Sequence, residues 1–315
     1  MNLDPRTWNV DPRKWKPSGR QRTAAYVAFF AFAFVLALRL TFPVEAVRER
    51  IILDAGARGY QVKVNDLSPS GLVGVRAREV TVTTAEGTRI PFEELKVGLR
   101  IWPTLLGRRA YSFDASLFEG RVVGFTEVSK TTERYQAQVT GIDLARAGVV
   151  RAATGLDLAG VLSGNLDVTL DTKDPAKSTG SIDFQVKDAA ILGGKIPIPG
   201  MEGGLTAPPV KLGSLTARGT VKGGRAEFGT LESKGDDVDF VAEQVFIQLQ
   251  PRVEHSPLSG RARIRPTEGF WRKEQVAPLK QLIDMALASA KGQDGGYGFQ
   301  IYGTVGRPQA RPAAF

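Results

Sequence analysis

From residue 60 onward, apolar side chains recur at every second position. Tyr60, Val62 and Val64 alternate with Gln61, Lys63 and Asn65, and Tyr111, Phe113, Ala115 and Leu117 with Ser112, Asp114 and Ser116. Leu166, Val168 and Leu170, then Ile182, Phe184 and Val186, then Leu215, Ala217, Gly219 and Val221, repeat the pattern, as do Phe299, Ile301 and Val305 near the end. A period of two predicts antiparallel sheet with one dry face and one wet face. Gly223-Gly224 separates two such runs by two residues, the spacing of a tight hairpin. Glu86-Gly87, Glu119-Gly120 and Gly193-Gly194 read as further turns. Val238, Phe240 and Ala242 are out of phase with Val245, Ile247 and Leu249, so a bulge is expected near Glu243.

Three segments change to helical spacing. Val47, Ile51 and Ala55 mark an amphipathic helix over Val44–Ala57, ended by Gly56 and Gly59. Asp143 is placed to cap a weak helix ending at Gly155. Val276, Leu279, Leu282, Ile283, Ala286, Leu287 and Ala290 form a stripe on a helix from about Glu274 to Ala290. Residues 43–315 therefore read as one β-rich domain with a few short helices, and Ala153–Gly160 is the best candidate for a boundary inside it.

The first 42 residues have another texture. Ala24–Leu38 is free of charge and includes Tyr26, Phe29, Phe30, Phe32, Phe34, Leu36 and Leu38. A membrane-crossing helix needs about 20 residues. Thr23–Phe42 reaches that length if Arg39 turns its guanidinium back to the interface. A cleaved signal peptide is the rival, but a 22-residue leader is long and no A-x-A-like site follows. A soluble core helix is disfavoured because the stretch lacks a polar face. Arg6, Arg13, Lys14, Lys16, Arg20 and Arg22 precede it, whereas Arg48 and Arg50 after it are diluted by Glu45 and Glu49. The positive-inside rule then places residues 1–22 in the cytoplasm, 23–42 in the membrane and 43–315 in the periplasm, with Arg20, Arg22 and Arg39 setting the topology. The tail repeats Asp4-Pro5-Arg6-Thr7-Trp8 as Asp11-Pro12-Arg13-Lys14-Trp15. That is either a docking segment or an interfacial leader.

Composition narrows the function. With 42% apolar and 24% charged residues, wholesale disorder is excluded. The absence of cysteine removes thiol catalysis, Cys-based zinc sites and disulfides. The net charge of +9 is concentrated in the tail and otherwise scattered, unlike the basic stripe of a nucleic-acid binder. Catalytic templates lack parts. His255 is the one histidine, in a Ser/Pro turn, and no G-x-S-x-G nucleophile elbow is present. Lys234-Gly235-Asp236-Asp237 is too short for an EF-hand loop and reads as a β-turn with Gly supplying positive φ. The Gly-rich stretches lack P-loop or dinucleotide-binding order. No enzyme activity, cofactor or metal is expected. Arg261, Arg263 and Arg265 share one strand face. They either meet an acidic partner or lipid head groups, or simply form the wet face of an edge strand.

The order of a basic tail, one apolar helix, an F-P-x-E helix and the tract SPSGLVGVRAREVTVTT resembles the type II secretion system protein N family. GSIDFQVKDAAILGGKIPIPG and LGSLTARGTVKGGRAEFGTLESKGDD add to the likeness, which runs from about Thr23 to Pro312. That family is similar in turn to AsmA-like envelope proteins. The resemblance implies an elongated, curved antiparallel sheet with a groove, held at the bacterial inner membrane. It implies a non-catalytic part in assembling or operating the machinery that exports folded proteins across the outer membrane, with other secretion components as partners. The AsmA-like kinship implies an alternative, a groove that binds or transfers phospholipid. Leu279, Leu282 and Ile283, with the arginine row, are then the candidate contacts, and the Glu274–Ala290 helix is expected to dock on the sheet's concave face.

Overall fold

A computed structural model describes residues 43–314 apart from 58, 72, 85–86, 88, 149–150, 152–154, 197–204, 230 and 251–254, together with Tyr26, Phe29, Phe30 and Ala33. Residues up to Val44 form one compact unit and Glu45–Phe315 another. The arginines Arg20, Arg22 and Arg39 and the anchor residues Phe32, Phe34, Leu36 and Leu38 lie outside the described residues. Tyr26, Phe29 and Phe30 are helical and strongly exposed. Among the described residues no helix is long and apolar enough to cross a membrane.

The second unit begins with α1 (Val44–Gly56), then β1 (Gln61–Ser70), β2 (Gly74–Thr83) and β3 (Arg89–Leu99). A single helical turn, α2 (Ile101–Leu105), precedes β4 (Arg109–Leu117), β5 (Gly120–Val128), β6 (Thr132–Asp143), β7 (Leu156–Asp171) and β8 (Thr179–Ile196). The two-residue β9 (Leu205–Thr206) pairs back on β8, and β10 (Val210–Lys222), β11 (Arg225–Phe228), β12 (Leu231–Lys234), β13 (Val238–Gln248) and β14 (Leu258–Pro266) follow. Then come α3 (Glu268–Trp271), α4 (Lys280–Ala286), β15 (Tyr297–Thr304) and β16 (Arg307–Pro312). The protein is mainly β, as expected. Its pairings are antiparallel and almost all join strands adjacent in sequence. The result is one meandering sheet with β1 and β16 as edges; β11 and β12 lie end to end between β10 and β13.

Alternation is kept in step by irregularities. In β13 the register slips between Glu243 and Phe246, where Gln244 has φ 51°. The slip returns Val245 and Ile247 to the face that holds Phe240 and Ala242, so the out-of-phase halves of this strand share one face. A phase change without a register shift crosses β1–β3. Val62 and Val64 are followed by Leu67, and Ile90 and Phe92 by Leu95, with Glu79 between them at φ 50°.

Turn chemistry is met by more than glycine. Gly223 and Gly224 adopt φ 62° and 72° in a two-residue hairpin that closes at Lys222 and Arg225. Phe118 and Glu119 make the matching turn between β4 and β5 at φ 49° and 62°, against the usual preference of L-residues. Gly193-Gly194 is not a turn. It lies inside β8, opposite Asp157 and Leu156, and a Cβ on Gly194 would sit 2.4 Å from the Gly155 carbonyl. Gly235 does occupy a turn between β12 and β13, but for space rather than positive φ, since a Cβ there would meet the Lys211 carbonyl at 2.3 Å.

Helix α1 ends one residue before its expected limit, and Val47, Ile51 and Ala55 are its half-buried side. The Glu274–Ala290 helix is interrupted. Pro278 restricts the residue before it and opens a 3-10 turn, Ala277–Leu279. The α-helical part is only Lys280–Ala286, and a second 3-10 turn, Ala288–Ala290, closes the segment. No boundary divides the sheet at 153–160, because β7 starts at Leu156 and pairs on both sides. Asp143 ends β6 and accepts the Ala145 N–H; Gly148 and Arg151 are helical, and the residues between them lie outside the description.

Candidate functional site: an uncovered apolar sheet face

Cross-strand partners share a face, so the register traces rows across the sheet. One row runs Leu99, Tyr111, Thr126, Tyr135, Val168, Gly180, Val221, Ala226, Ile247 and Leu258. The next runs Val75, Val97, Phe113, Gly124, Ala137, Leu166, Ile182, Gly219 and Phe228. Both rows are almost wholly apolar. Glycines on this face make room for neighbouring rings: a Cβ on Gly124 would meet Phe113 at 2.6 Å, and one on Gly164 would meet Phe184 at 2.4 Å. An aromatic ring laid over a strand glycine restores contact that the missing side chain would have supplied.

Among the described residues the extensive strand contacts are almost all between neighbours within the one layer. The side chains of this face are therefore mostly half-buried. Among the described residues nearly half of the buried apolar ones are alanines, such as Ala77, Ala115, Ala226, Ala242 and Ala262. One end is closed. Val276, fully buried, and Phe270 pack with Val210 and Val238, flanked by Ile191, Leu212, Ile264 and Trp271. This lid spans β8, β10, β13 and β14. Each fully buried side chain of this size contributes roughly 1.5–3 kcal/mol. From β2 to β6 the row residues Val75, Val97, Phe113, Thr126 and Tyr135 are only half-buried and Tyr111 is exposed, while Leu67 and Val80 are buried.

The lid is held by a buried ion pair. Asp237, 4% exposed, accepts from Lys273 Nζ at 2.6 Å and from the Lys211 N–H at 2.7 Å. Burial opposes ionisation, but the Lys273 ammonium and the Lys211 N–H outweigh it and hold the carboxyl below the usual aspartate range. Asp284 accepts from Tyr297 Oη at 2.5 Å and from Lys291 Nζ at 2.7 Å, tying α4 to β15. The Lys291 and Tyr297 donors hold the Asp284 carboxyl low, while burial and the Asp284 charge push the Tyr297 phenol well above its ordinary value.

The opposite face is polar. Arg121 meets Asp114 at 2.6 Å, Arg134 meets Asp167 at 2.8 Å and Lys96 meets Glu94 at 2.5 Å. Hydrogen bonds from Arg121 and Lys96 hold the Asp114 and Glu94 carboxyls below their ordinary values. The arginine row belongs here. Arg265 binds Asp239 at 2.5 Å, Arg263 pairs with Asp294, and Arg261 is exposed with no ion pair among the described residues. Their strand, β14, lies between β13 and β15 and is not an edge.

Of the three stripe residues singled out, Leu279 and Ile283 are half-buried, whereas Leu282 is 56% exposed and points away from the protein. Leu282 follows the break at Pro278 as Ile283 does, and the helix turns Ile283 and Leu287, not Leu282, to its less exposed side. Of the stripe, Val276 docks in the cluster with Phe270, which precedes the stripe. His255 is exposed, and its neighbour Ser256 is buried, accepting the Gln250 N–H. No group of three or more potential metal ligands occurs among the described residues. Comparison with protein-family models, with curated proteins and with solved structures finds no match to the chain.

Proposed function

We propose that this chain is a non-catalytic envelope protein, anchored in the bacterial inner membrane by Thr23–Phe42, whose periplasmic sheet forms an elongated, curved groove that binds acyl chains. The observation that carries this is the pair of continuous apolar rows whose side chains, such as Val97, Phe113 and Tyr135, stay only half-buried. An apolar patch of that extent in water calls for an occupant. The bulges across the strands favour curvature towards a groove. A helix covering the whole face would have argued for a purely protein-binding role, but Val276 and Phe270 close only one end.

The second proposal is a component of the type II secretion machinery, in which an apolar segment of another secretion protein lies on the same face. It rests on the Leu212–Asp237 tract and on the order of tail, apolar helix and F-P-x-E helix. In the structure that tract runs through β10–β12 to the turn holding Asp237, beside the closed end.

Extracting the purified full chain with organic solvent, followed by mass spectrometry, separates the two. Stoichiometric phospholipid, lost on Phe113→Asp or Val97→Asp but kept on Gln138→Asp, supports the lipid groove. A lipid-free chain that co-purifies with a secretion component through the same face supports the second proposal.

A further inference from the structure

Trp102 and Leu106, in and just after α2, are 79% and 78% exposed, above every other large apolar side chain described in the sheet unit. Leu105 is 72% exposed, and Ile101 and Val73 are 43% exposed. Val73 belongs to the same patch, since its carbonyl accepts the Leu99 N–H. The turn is firmly built. Thr104 Oγ1 donates to the Arg100 carbonyl at 2.8 Å, and the Gly107 and Arg108 N–H groups donate to Thr104 and Pro103. These side chains are thus displayed on a fixed protrusion.

The protrusion is ringed by cations. Arg100 lies over the Phe125 ring at 4.2 Å, and Arg108 pairs with Glu127 at 2.8 Å. Arg109 and Lys130 are exposed and carry no ion pair among the described residues. Glu127 and Glu133 are the acids at this end of β5 and β6. A tryptophan and leucines at the tip of a basic collar match the interfacial layer of an anionic bilayer. A protein partner fits less well, because one helical turn offers far less than the roughly 800 Å² per side of a standard interface. The turn joins the third and fourth strands beside the β1–β2 hairpin, at the end of β1 away from α1, about 33 Å along that ten-residue strand.

We propose that α2 is a membrane-surface foot. Trp102, Leu105 and Leu106 enter the interface of an anionic bilayer, and Arg109 and Lys130 take lipid phosphates. The foot rests on the anchor proposed above.

The chain has no cysteine, so Leu106→Cys carries a single environment-sensitive dye, and Gln138→Cys on the polar face serves as control. The labelled full chain is reconstituted in phosphatidylglycerol or phosphatidylcholine vesicles containing a nitroxide-tailed phospholipid and prepared in iodide buffer. In phosphatidylglycerol the dye at 106 should be quenched by nitroxide and shielded from iodide, and the dye at 138 the reverse. Combined Arg109→Gln and Lys130→Gln, or added salt, should lower the quenched fraction, since each surface cation adds about fivefold in binding. A dye at 106 that stays open to iodide overturns the proposal. So does one shielded from iodide yet unquenched by lipid, because protein then covers the turn. Equal quenching in neutral vesicles overturns the anionic requirement. Failure of the anchor shows separately, as loss of the chain from vesicles in an alkaline wash.

Discussion

Replacing Lys273 with Met removes one charge of the buried pair while keeping the length of the side chain. Asp237 is 4% exposed and stays in place, still accepting the Lys211 N–H at 2.7 Å. Breaking a fully buried pair costs about 3–5 kcal/mol, and an exposed one about 0–1 kcal/mol. The Lys273 side chain is 38% exposed, so water screens part of the loss and about 2 kcal/mol is expected. That corresponds to a melting point about 4–8 °C lower for a domain of this size. The pH dependence follows from Asp237. Its carboxyl is held low in the folded protein. The stabilisation is therefore fully present above the unfolded value of about 3.9 and is lost as pH falls through the lower folded value. Without Lys273, burial is opposed only by the Lys211 N–H and charge, so the carboxyl is held less low. The gap between variant and wild type should be full near neutrality and should shrink as pH falls through the unfolded value of about 3.9 towards the lower folded one. Denaturant unfolding followed by circular dichroism at several pH values measures both. A gap that is absent near neutrality, or constant down to acid pH, would refute the reasoning.

Other outcomes follow from the same structure. Gly223→Val with Gly224→Val should lower the melting point by several degrees, because both positions need positive φ and a Cβ at Gly224 would meet the Pro175 carbonyl at 2.8 Å; thermal unfolding checks it. Tyr297→Phe should cost about 1 kcal/mol, the worth of one hydrogen bond, since Asp284 keeps Lys291; an urea titration measures it. A reporter active only in the periplasm, fused after Phe315, should be active, and the mature chain should keep Met1–Arg22. An N-terminus found near Val44 by sequencing would remove the anchor.

Much of the sheet was legible in the chain because one-sided strands must alternate. The faces of β4, β7, β8 and β10 follow directly from their apolar positions, and the out-of-phase halves of β13 announced the bulge at Gln244. Gly193-Gly194 misled because a two-glycine step signals a turn only when the flanking runs pair with each other. Here both glycines pair with β7 instead. Pro278 was a visible break in the Glu274–Ala290 stripe, outweighed in the reading by seven well-spaced apolar residues. The arginine row shows the limit of spacing alone. It fixed the shared face of Arg261, Arg263 and Arg265 but not their partners, since Asp239 comes from β13 and Asp294 from the loop before β15. The α2 foot was missed because Ile101–Leu106 reads as one more apolar run. Its signal was the setting: an apolar run containing Pro103, too short for a strand, followed by Gly107-Arg108-Arg109.

The central claim is that the open apolar face holds lipid. Site-specific photocrosslinking in living cells tests it most directly, with a benzophenone amino acid placed at Phe113 on the apolar face and at Gln138 on the polar face. The groove account predicts phosphate-labelled lipid on the chain from Phe113 and none from Gln138. Adducts from Phe113 that contain only protein, or lipid captured equally from both faces, would contradict it.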